Sequence, residues 1–512
     1  MPAGSIPGQK GARSSRQIGR FDRAEGYHPT NNSHAAQGKM GETPSILNMA
    51  LPPDLTKTGK EQVRRRRLSW RSVLRGVKWT VITLVVVGVF GGGFLFVKGY
   101  INVHKAFKGS GHTALALQPN ADLSAFKTEG DGRVNILLLG IGGIGHEAPD
   151  LTDTMLIASI DPVNHSAVLT SIPRDLWVAV PHHGNMKINA AYETGKFAAL
   201  GGKIIPGNAN TDAVKAGFAS ADSVVSQVTG LSIQYNVLVD FQAFQKAVDT
   251  VGGVTINVPT ALYDPTMAWE NKGNPVLAKA GVQTFDGLHA LFYVRSRETT
   301  SDFARAQRQR AVIVALMQKV FTLGTLSNPL KITQLLDAFG NNVVTDISLG
   351  DMTKIYGVTK GINLDTIQSV GLADPPNNYV TTGRVGTQSV VLPRAGQNNY
   401  GPIQAYLRSV LPDGYITKEH AAVELVNGTG STAALTSKET LLKSYGYNLS
   451  PSIAALTGNY PKTMLVDLSG GKDPYTAHYL ENRFGVKATT KLPAGVTANG
   501  AAFVLILGQD QT

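Results

Sequence analysis

A run of 19 residues without a charge, Trp79 to Val97, constrains the organisation of this chain more than any other feature. At 1.5 Å per residue, a helix of that length spans a hydrocarbon core of roughly 30 Å. Arg64 to Arg67 and three further cations lie directly before the run. Because basic residues stay on the cytoplasmic side, the pattern predicts a single-pass anchor in the cell membrane. The N-terminus is then cytoplasmic, and the bulk of the chain is extracellular.

A cleavable signal peptide is the alternative interpretation of this run. The apolar stretch is longer than the hydrophobic region of a typical signal peptide, and it begins far from the N-terminus. No Ala-x-Ala cleavage site follows closely. These three features favour an anchor that stays in place.

The net charge of +12 belongs mainly to the N-terminal tail. Residues 1–78 hold 15 Lys and Arg against 5 Asp and Glu, which gives +10 and leaves +2 for the rest. The tail is rich in Gly, Ser, Asn, Gln and Pro and is predicted to be disordered. A nucleic-acid partner is not supported, because the basicity does not lie on a folded face. The absence of cysteine excludes disulfides, thiolate zinc sites and cysteine catalysis.

Three segments are predicted beyond the uncharged run: a stalk over 98–130, a main domain over 131–412 and a small module over 421–510. In the main domain, short apolar runs alternate with helical periods. Strands are predicted at 133–140, 154–160, 167–172, 235–239 and 254–258, and helices at 190–200, 212–228 and 241–251. This alternation predicts an α/β fold, an α/β/α layered domain with a mixed central sheet. The module is predicted to be a small α/β domain.

The segment Gly140-Ile-Gly-Gly-Ile-Gly145 matches the spacing of a dinucleotide-binding loop. That motif must open a helix. Here Pro149 intervenes and the next element is predicted to be a strand, so no nicotinamide cofactor is implied. The glycines are instead expected to let the chain turn tightly after a strand.

Five arginines crowd into residues 293–310. They are Arg295, Arg297, Arg305, Arg308 and Arg310. Ser301 or Asp302 is predicted to cap a helix over 303–320, so that two of the arginines lie in its first turns, where the helix dipole favours anions. Residues 291–294 are predicted to form a strand that carries two more arginines at its end. We expect these four cations to converge on an anion; a solvated charge run is the alternative.

Further polar residues follow the predicted strand ends and loops. They are Asp153, Asp161, Arg174, Asp175, Lys187, Asn189, Asp302 and Gln309. Carboxylates beside arginines suggest a phosphate group held with Mg²⁺, which prefers one or two carboxylates together with phosphate oxygens. Each residue also has a structural interpretation: Asp161 precedes a proline and suits a turn, Asp175 suits a helix cap, and Arg174 could pair with Asp175.

The order of these motifs resembles the LytR-CpsA-Psr family of envelope glycopolymer transferases. The motifs are Leu151-Thr-Asp153-Thr154, Ser171-Ile-Pro-Arg174-Asp175, Lys187-Ile-Asn189-Ala-Ala-Tyr192, Val239-Asp-Phe-Gln-Ala-Phe244, Tyr293-Val-Arg295-Ser-Arg297 and Asp302-Phe-Ala-Arg305-Ala-Gln-Arg308-Gln309. The resemblance covers roughly residues 131–412. Residues 421–510 resemble the C-terminal module often appended to such proteins.

The resemblance implies a phosphotransferase that moves a glycopolymer from a polyprenyl-pyrophosphate carrier to peptidoglycan through a phosphodiester. The polymer would be of the teichoic acid, capsule or arabinogalactan class, and the lipid chain would occupy an apolar tunnel. Asp153 and Asp161 would hold Mg²⁺. Pyrophosphate would be bound by Arg174, Arg295, Arg297, Arg305, Arg308 and Gln309. Catalysis would rest on Asp153, Arg174, Arg295 and Arg297.

Leu151 departs from the family pattern, which usually has arginine at this position. A membrane-anchored wall-binding protein with little turnover is therefore one alternative function. A pyrophosphatase acting on the same lipid carrier is another, because water can replace the sugar hydroxyl in the same geometry.

Overall fold

The computed structural model describes residues 113–118, 121–205, 207–208, 210–297, 301–322, 342–452 and 460–511. The predicted tail over 1–78 and the predicted anchor over 79–97 lie outside these residues. Within the described part, no helix combines the length and apolar character needed to cross a bilayer.

The described residues form eighteen strands and ten α-helices, which are numbered here in chain order. The strands are β1 (Val134–Ile141), β2 (Thr152–Asp161), β3 (Ser166–Ser171), β4 (Trp177–Val180), β5 (Gly184–Lys187), β6 (Tyr235–Asp240), β7 (Val254–Val258), β8 (Leu262–Tyr263), β9 (Val276–Ala278), β10 (Gly281–Phe285), β11 (Val343–Thr345), β12 (Gln368–Gly371), β13 (Val380–Val385), β14 (Gln388–Pro393), β15 (Ala422–Asn427), β16 (Asn448–Leu449), β17 (Met464–Asp467) and β18 (Phe503–Leu507). The helices are α1 (Ala191–Ala199), α2 (Thr211–Thr229), α3 (Phe241–Thr250), α4 (Gly287–Arg295), α5 (Asp302–Thr322), α6 (Leu349–Thr359), α7 (Gly401–Val410), α8 (Gly414–Glu419), α9 (Thr432–Ser444) and α10 (Pro474–Phe484).

A six-stranded mixed sheet, in the order β11-β6-β1-β2-β3-β12, organises the main domain. β1 is parallel to β6 and antiparallel to β2, while β3 is antiparallel to β2 and parallel to β12. The carboxyl ends of β1, β3, β6 and β12 therefore meet the amino end of β2. This boundary, where Ile141, Thr152, Ser171, Asp240 and Gly371 lie, is called the site edge below.

Apolar layers on both faces of the sheet confirm the predicted α/β/α architecture. Because side chains alternate along a strand, Leu137 and Leu139 of β1 belong to one layer and Ile136 to the other. The first layer includes Val214 and Phe218 of α2. The second includes residues of α6. Each face of the sheet is thus buried by helices, so polar sites can form only where the strands end.

The helix predicted at 212–228 is confirmed as α2, which has clear signals at both ends. The Asn210 side chain accepts a hydrogen bond from the Ala213 amide, and Gly230 ends the helix in the left-handed region at φ 71°. Gly217 lets α2 approach α1 closely, because a Cβ there would come within 2.7 Å of the Tyr192 ring.

One expected element type is wrong. Residues 291–294 are helical and belong to α4, whose N-cap Asp286 accepts a hydrogen bond from the His289 amide. A short buried apolar run can form either a strand or a helix. Here the N-cap residue Asp286 favours the helix. The described part of the predicted stalk is packed into the fold: Phe126 is fully buried, and the Ala114 amide donates to the Tyr235 hydroxyl at 3.0 Å.

The C-terminal module has a four-stranded sheet in the order β16-β15-β18-β17. A buried carboxylate, Asp413, lies at its junction with the main domain. The amides of Gly130 and Gly132 each donate to it at 2.9 Å, as does the Tyr415 amide. The junction is therefore a hydrogen-bonded part of the fold.

Candidate functional site

A cleft opens at the site edge between the first turns of α5 and the sheet. It is lined by Asp153 of β2, Arg174 after β3, and Asp302, Arg305 and Gln309 of α5. Residues 371–374, at the end of β12, complete it. Strand ends and a helix N-terminus thus bring together residues that are distant in sequence, as is common for sites in α/β folds.

Arg174 lies at the centre of this cleft. Its guanidinium is bonded to the Asp153 carboxylate, and its Nε is 3.5 Å from Asp175. Burial favours loss of the charge, but Asp153 and Asp175 outweigh burial and raise the pKa of Arg174. This residue is therefore a permanent cation with carboxylates on two sides.

Arg305 brings a second cation to the cleft from α5. Ser301 lies directly before the helix, and its side chain accepts a hydrogen bond from the Ala304 amide at 3.1 Å. Arg305 is buried and lies 3.4 Å from Asp302, and burial lowers its pKa despite that carboxylate. Within the described residues, the buried Nε atoms of Arg305 and Arg174 have no hydrogen-bond acceptor. Two donors near a helix N-terminus without acceptors suit an anionic ligand.

Asp175 and Asp302 face each other beside these cations. Burial raises the pKa of Asp302, and its hydrogen bond with Asp175 raises it further. Burial acts the same way on Asp175, but that hydrogen bond and Lys187, 2.7 Å away, lower its pKa. The pair therefore tends to share one proton, with the negative charge held on Asp175.

Two further predicted residues of α5 differ in their surroundings. Arg308 donates to the carbonyl oxygens of Tyr293 and Ser296 at the end of α4. Gln309 lines the cleft, and its side chain donates to the Val294 carbonyl at 3.4 Å. Arg308 is thus placed to hold α4 against α5, a role that its position in the sequence does not reveal.

Arg295 and Arg297 do not line the same cleft. Arg295 is bonded to Glu270 at 2.8 Å, stacks over the Phe241 ring at 5.1 Å, and lines a neighbouring cleft. Arg297 is exposed, and its backbone amide donates to Asp264 at 3.2 Å. The predicted convergence of four arginines therefore holds in this cleft only for Arg305, joined by Arg174.

Asp161 was predicted as the partner of Asp153 in a metal site, and the structure corrects that prediction. The two residues lie at opposite ends of β2. Eight residues of strand separate them by about 26 Å at 3.3 Å per residue. The Asp161 carboxylate accepts hydrogen bonds from the Val163 and Asn164 amides and lies 3.5 Å from Arg133. It forms the turn before β3, as an Asp-Pro sequence often does.

The sequence prediction missed a group of hydrogen-bonded residues beside the cleft. Arg310 donates to Ser171, to Asp374, and to the Ser369 hydroxyl at 2.6 Å. These contacts join α5 to β3 and β12. No local sequence signal marks them, because their position depends on the pairing of β12 with β3.

The fit of the cleft to Mg²⁺ rests on Asp153. Its side chain is 40% exposed, so it can reach a bound ion. No group of three or more potential protein ligands for a metal occurs among the described residues. One carboxylate together with phosphate oxygens and waters is nevertheless a usual environment for Mg²⁺. Leu151, where the family usually has arginine, is partly buried just before β2.

A family model described as LytR_cpsA_psr matches residues 100–391. The chain is 30% identical over 335 residues to the polyisoprenyl-teichoic acid–peptidoglycan teichoic acid transferase TagU of Oceanobacillus iheyensis, covering 63% of this chain and 92% of that protein. It is 34% identical to the cell wall biosynthesis protein LcpA of Corynebacterium glutamicum, covering 40% of this chain and 39% of that protein. A crystal structure of Bacillus subtilis TagV is also similar, with 23% identity, a TM-score of 0.41, and coverage of 56% of this chain and 98% of that one. Since the family model spans more than half of its residues, the chain belongs to the LytR_cpsA_psr family.

Proposed function

We propose that this protein transfers a glycopolymer from a polyprenyl-pyrophosphate carrier to peptidoglycan. Support comes from family membership and from the names of its relatives, among them a teichoic acid transferase. The observation that carries the proposal is a pair of guanidinium groups, that of the buried Arg305 and that of the partly buried Arg174, whose buried Nε atoms have no hydrogen-bond acceptor among the described residues.

In this proposal the two guanidinium groups bind the pyrophosphate. A sugar hydroxyl of peptidoglycan attacks the phosphorus atom that carries the glycan. The bond from this phosphorus to the bridging oxygen breaks, a phosphodiester forms, and polyprenyl monophosphate leaves. The charge that develops on the leaving phosphate is stabilised by fixed cations, which suits a reaction that depends on positioning and electrostatics.

Asp153 would hold Mg²⁺, which when bound neutralises charge on the phosphate oxygens. The Asp153 carboxylate is also available to accept the proton of the attacking hydroxyl. Arg174 orients this carboxylate through their ion pair. Burial and the hydrogen bond with Asp175 raise the pKa of Asp302, which weakens its repulsion towards an anionic substrate.

A comparison of Asp153→Asn with Asp161→Asn tests the proposed site. The full chain would be incubated with Mg²⁺, a polyprenyl-pyrophosphate glycan and a peptidoglycan oligomer, and linked product measured by mass spectrometry. We expect Asp153→Asn to reduce transfer at least about 100-fold, as general base and charge stabilisation each contribute factors of that size. Asp161→Asn should alter stability but leave the Mg²⁺ dependence of the remaining transfer unchanged.

The products distinguish the other functions. Release of polyprenyl monophosphate without linked product would identify a pyrophosphatase. Bound lipid carrier without turnover would identify a wall-binding protein. Full activity of Asp153→Asn would show that the cleft is assigned incorrectly.

A further inference from the structure

Two loops at the site edge present large apolar side chains to solvent. Ile144 lies in the loop after β1 and is 67% exposed, while Ile204 and Ile205 follow α1 and are 71% and 49% exposed. Phe197 of α1 lies beside them at 36%. We call these four residues the apolar lip. Single exposed apolar residues are common, but a group of this kind marks an interaction surface.

The two loops that carry the lip are in contact. A Cβ at Gly207 would lie 2.9 Å from the Ile144 side chain, so the chain beyond the two isoleucines passes directly against the loop after β1. Phe197, Ile204 and Ile205 line one depression, and Ile144 lies beside the chain that follows them. Glycine at 207, at φ 87°, allows both this close approach and the turn.

A buried ion pair fixes the position of the lip. Lys196 of α1 is 2% exposed, and its Nζ lies 2.6 Å from Asp150 and 2.9 Å from the Gly207 carbonyl oxygen. It thus joins the segment before β2 to the loop after α1. Burying such a pair has a desolvation cost, which is tolerated when its geometry is needed. The chain is thus anchored at Gly207, two residues after Ile205.

The lip lies next to the proposed pyrophosphate site. Ile141, three residues before Ile144, pairs with Thr152 of β2. Asp153 of the cleft is the residue after Thr152. A pyrophosphate bonded to a membrane lipid lies at the level of the headgroups. The site edge must therefore reach that level, unless the whole lipid leaves the bilayer. An apolar lip beside the cleft provides the surface that such an approach needs.

We propose that the apolar lip docks the site edge onto the surface of the lipid bilayer. This inference rests on the proposed function, because it takes the substrate to be lipid-linked. The chain length permits it. Fifteen residues separate the uncharged run ending at Val97 from Thr113, and they span up to about 50 Å when extended. β1, with eight residues, is about 26 Å long, so the tether reaches past the sheet in either orientation.

The absence of cysteine from the chain makes a direct test possible. Ile204→Cys in the full chain would carry a single environment-sensitive fluorophore, and the protein would be reconstituted in nanodiscs containing doxyl-labelled phospholipid. The matched control is Lys360→Cys, also exposed, at the end of α6. It is next to Gly361, which faces His165 on the turn between β2 and β3, opposite the site edge.

We expect doxyl lipid to quench the fluorophore at position 204 at least about twofold more than at position 360. Equal quenching at the two positions would overturn the docking proposal.

A second variant separates this inference from the proposed function. Ile204→Asp with Ile205→Asp should reduce transfer from a bilayer-embedded carrier about tenfold and leave transfer from a short-chain, water-soluble carrier unchanged. An equal loss with both carriers would contradict docking. Quenching needs no turnover, so strong quenching without transfer would contradict the proposed function alone.

Discussion

The five arginines of residues 293–310 differ in what their guanidinium groups contact. Arg305 faces the cleft with an Nε that lacks an acceptor within the described residues, whereas Arg308 donates to backbone carbonyls and Arg310 to hydroxyls and Asp374. Arg295 is paired with Glu270. Residue type and spacing predicted a cationic wall, but the partner of each cation depends on contacts that no local pattern contains.

Stability measurements on variants of Arg308 and Arg297 test whether these arginines differ in their structural role. Arg308→Ala removes a buried cation that caps the carbonyls of α4, so we expect a loss of about 2–4 kcal/mol in the free energy of unfolding. Arg297→Ala changes an exposed side chain and should shift that free energy by less than about 0.5 kcal/mol. Urea unfolding followed by circular dichroism measures both.

The same two variants report on the site. Arg297→Ala tests the role that the family resemblance implies for Arg297, which does not line the cleft: if that role is right, transfer is lost although the fold is intact. Normal transfer by this variant would remove Arg297 from the site. If both variants lost the same free energy of unfolding, the structural role assigned to Arg308 from its contacts would be contradicted.

The large separation of Asp153 and Asp161 could have been predicted from the sequence alone. The prediction of a strand over 154–160 implies that residues at its two ends are far apart, since a strand advances about 3.3 Å per residue. Resemblance to the family suggested that they share a metal, and the strand geometry overrules it. Asp374, in contrast, could not be assigned before β12 was known to lie beside β3.

At the scale of elements, the long periodic helices and several strands were predictable, whereas the short apolar run at 291–294 was not. The strand at 254–258 and the helices α1, α2 and α5 have the expected positions within one or two residues. Residues 291–294 form part of a helix because Asp286 caps it and because α4 packs as one face of a second apolar core. Tertiary packing decides such cases, and a single sequence does not display it.

The packing of α2 on β6 has a pH-dependent component. Asn236 of β6 donates to Asp222 of α2 at 2.9 Å and to Asp346 at 3.0 Å. Burial, together with the charge of Asp346, raises the pKa of Asp222 to about 7. The folded state then holds a proton that the unfolded state releases near pH 4. Stability is therefore lost as the pH rises from about 4 to about 7.

Asp222→Asn should remove this loss. We expect the variant to be more stable than the parent by about 2 kcal/mol at pH 8, and the difference to shrink as the pH falls towards 5. Urea midpoints measured across this range give the result. A difference that stays constant with pH would show that Asp222 does not titrate in this way.

At the scale of the whole molecule, the N-terminal part of the described chain connects the main domain to the C-terminal module. The Glu129 side chain is buried and binds the Arg483 guanidinium of α10 through both oxygens. It also accepts a hydrogen bond from the Tyr447 hydroxyl at 2.9 Å. Burial opposes the charge of Arg483, but Glu129 raises its pKa overall. Separation of the two domains would thus expose a strong ion pair and its apolar surroundings.

Glu129→Ala should weaken this connection. We expect the parent to unfold in one calorimetric transition, and the variant to show two transitions because the module loses about 3 kcal/mol of coupling. Lys487→Ala is the control, since it removes an exposed ion pair on the same module and should have little effect. A single transition at an unchanged temperature for Glu129→Ala would contradict the coupling.

Asp413 also determines how this protein can be recombined with its relatives. Its carboxylate is shared by the amides of Gly130 and Gly132 and the hydroxyl of Tyr479, and residue 130 is 283 positions away in the chain. A side chain at position 132 would collide with it, as a Cβ there would lie 2.7 Å from an oxygen. A C-terminal module grafted onto another transferase must therefore be accompanied by the glycine-containing segment 130–132, or the graft will bury a carboxylate without its donors.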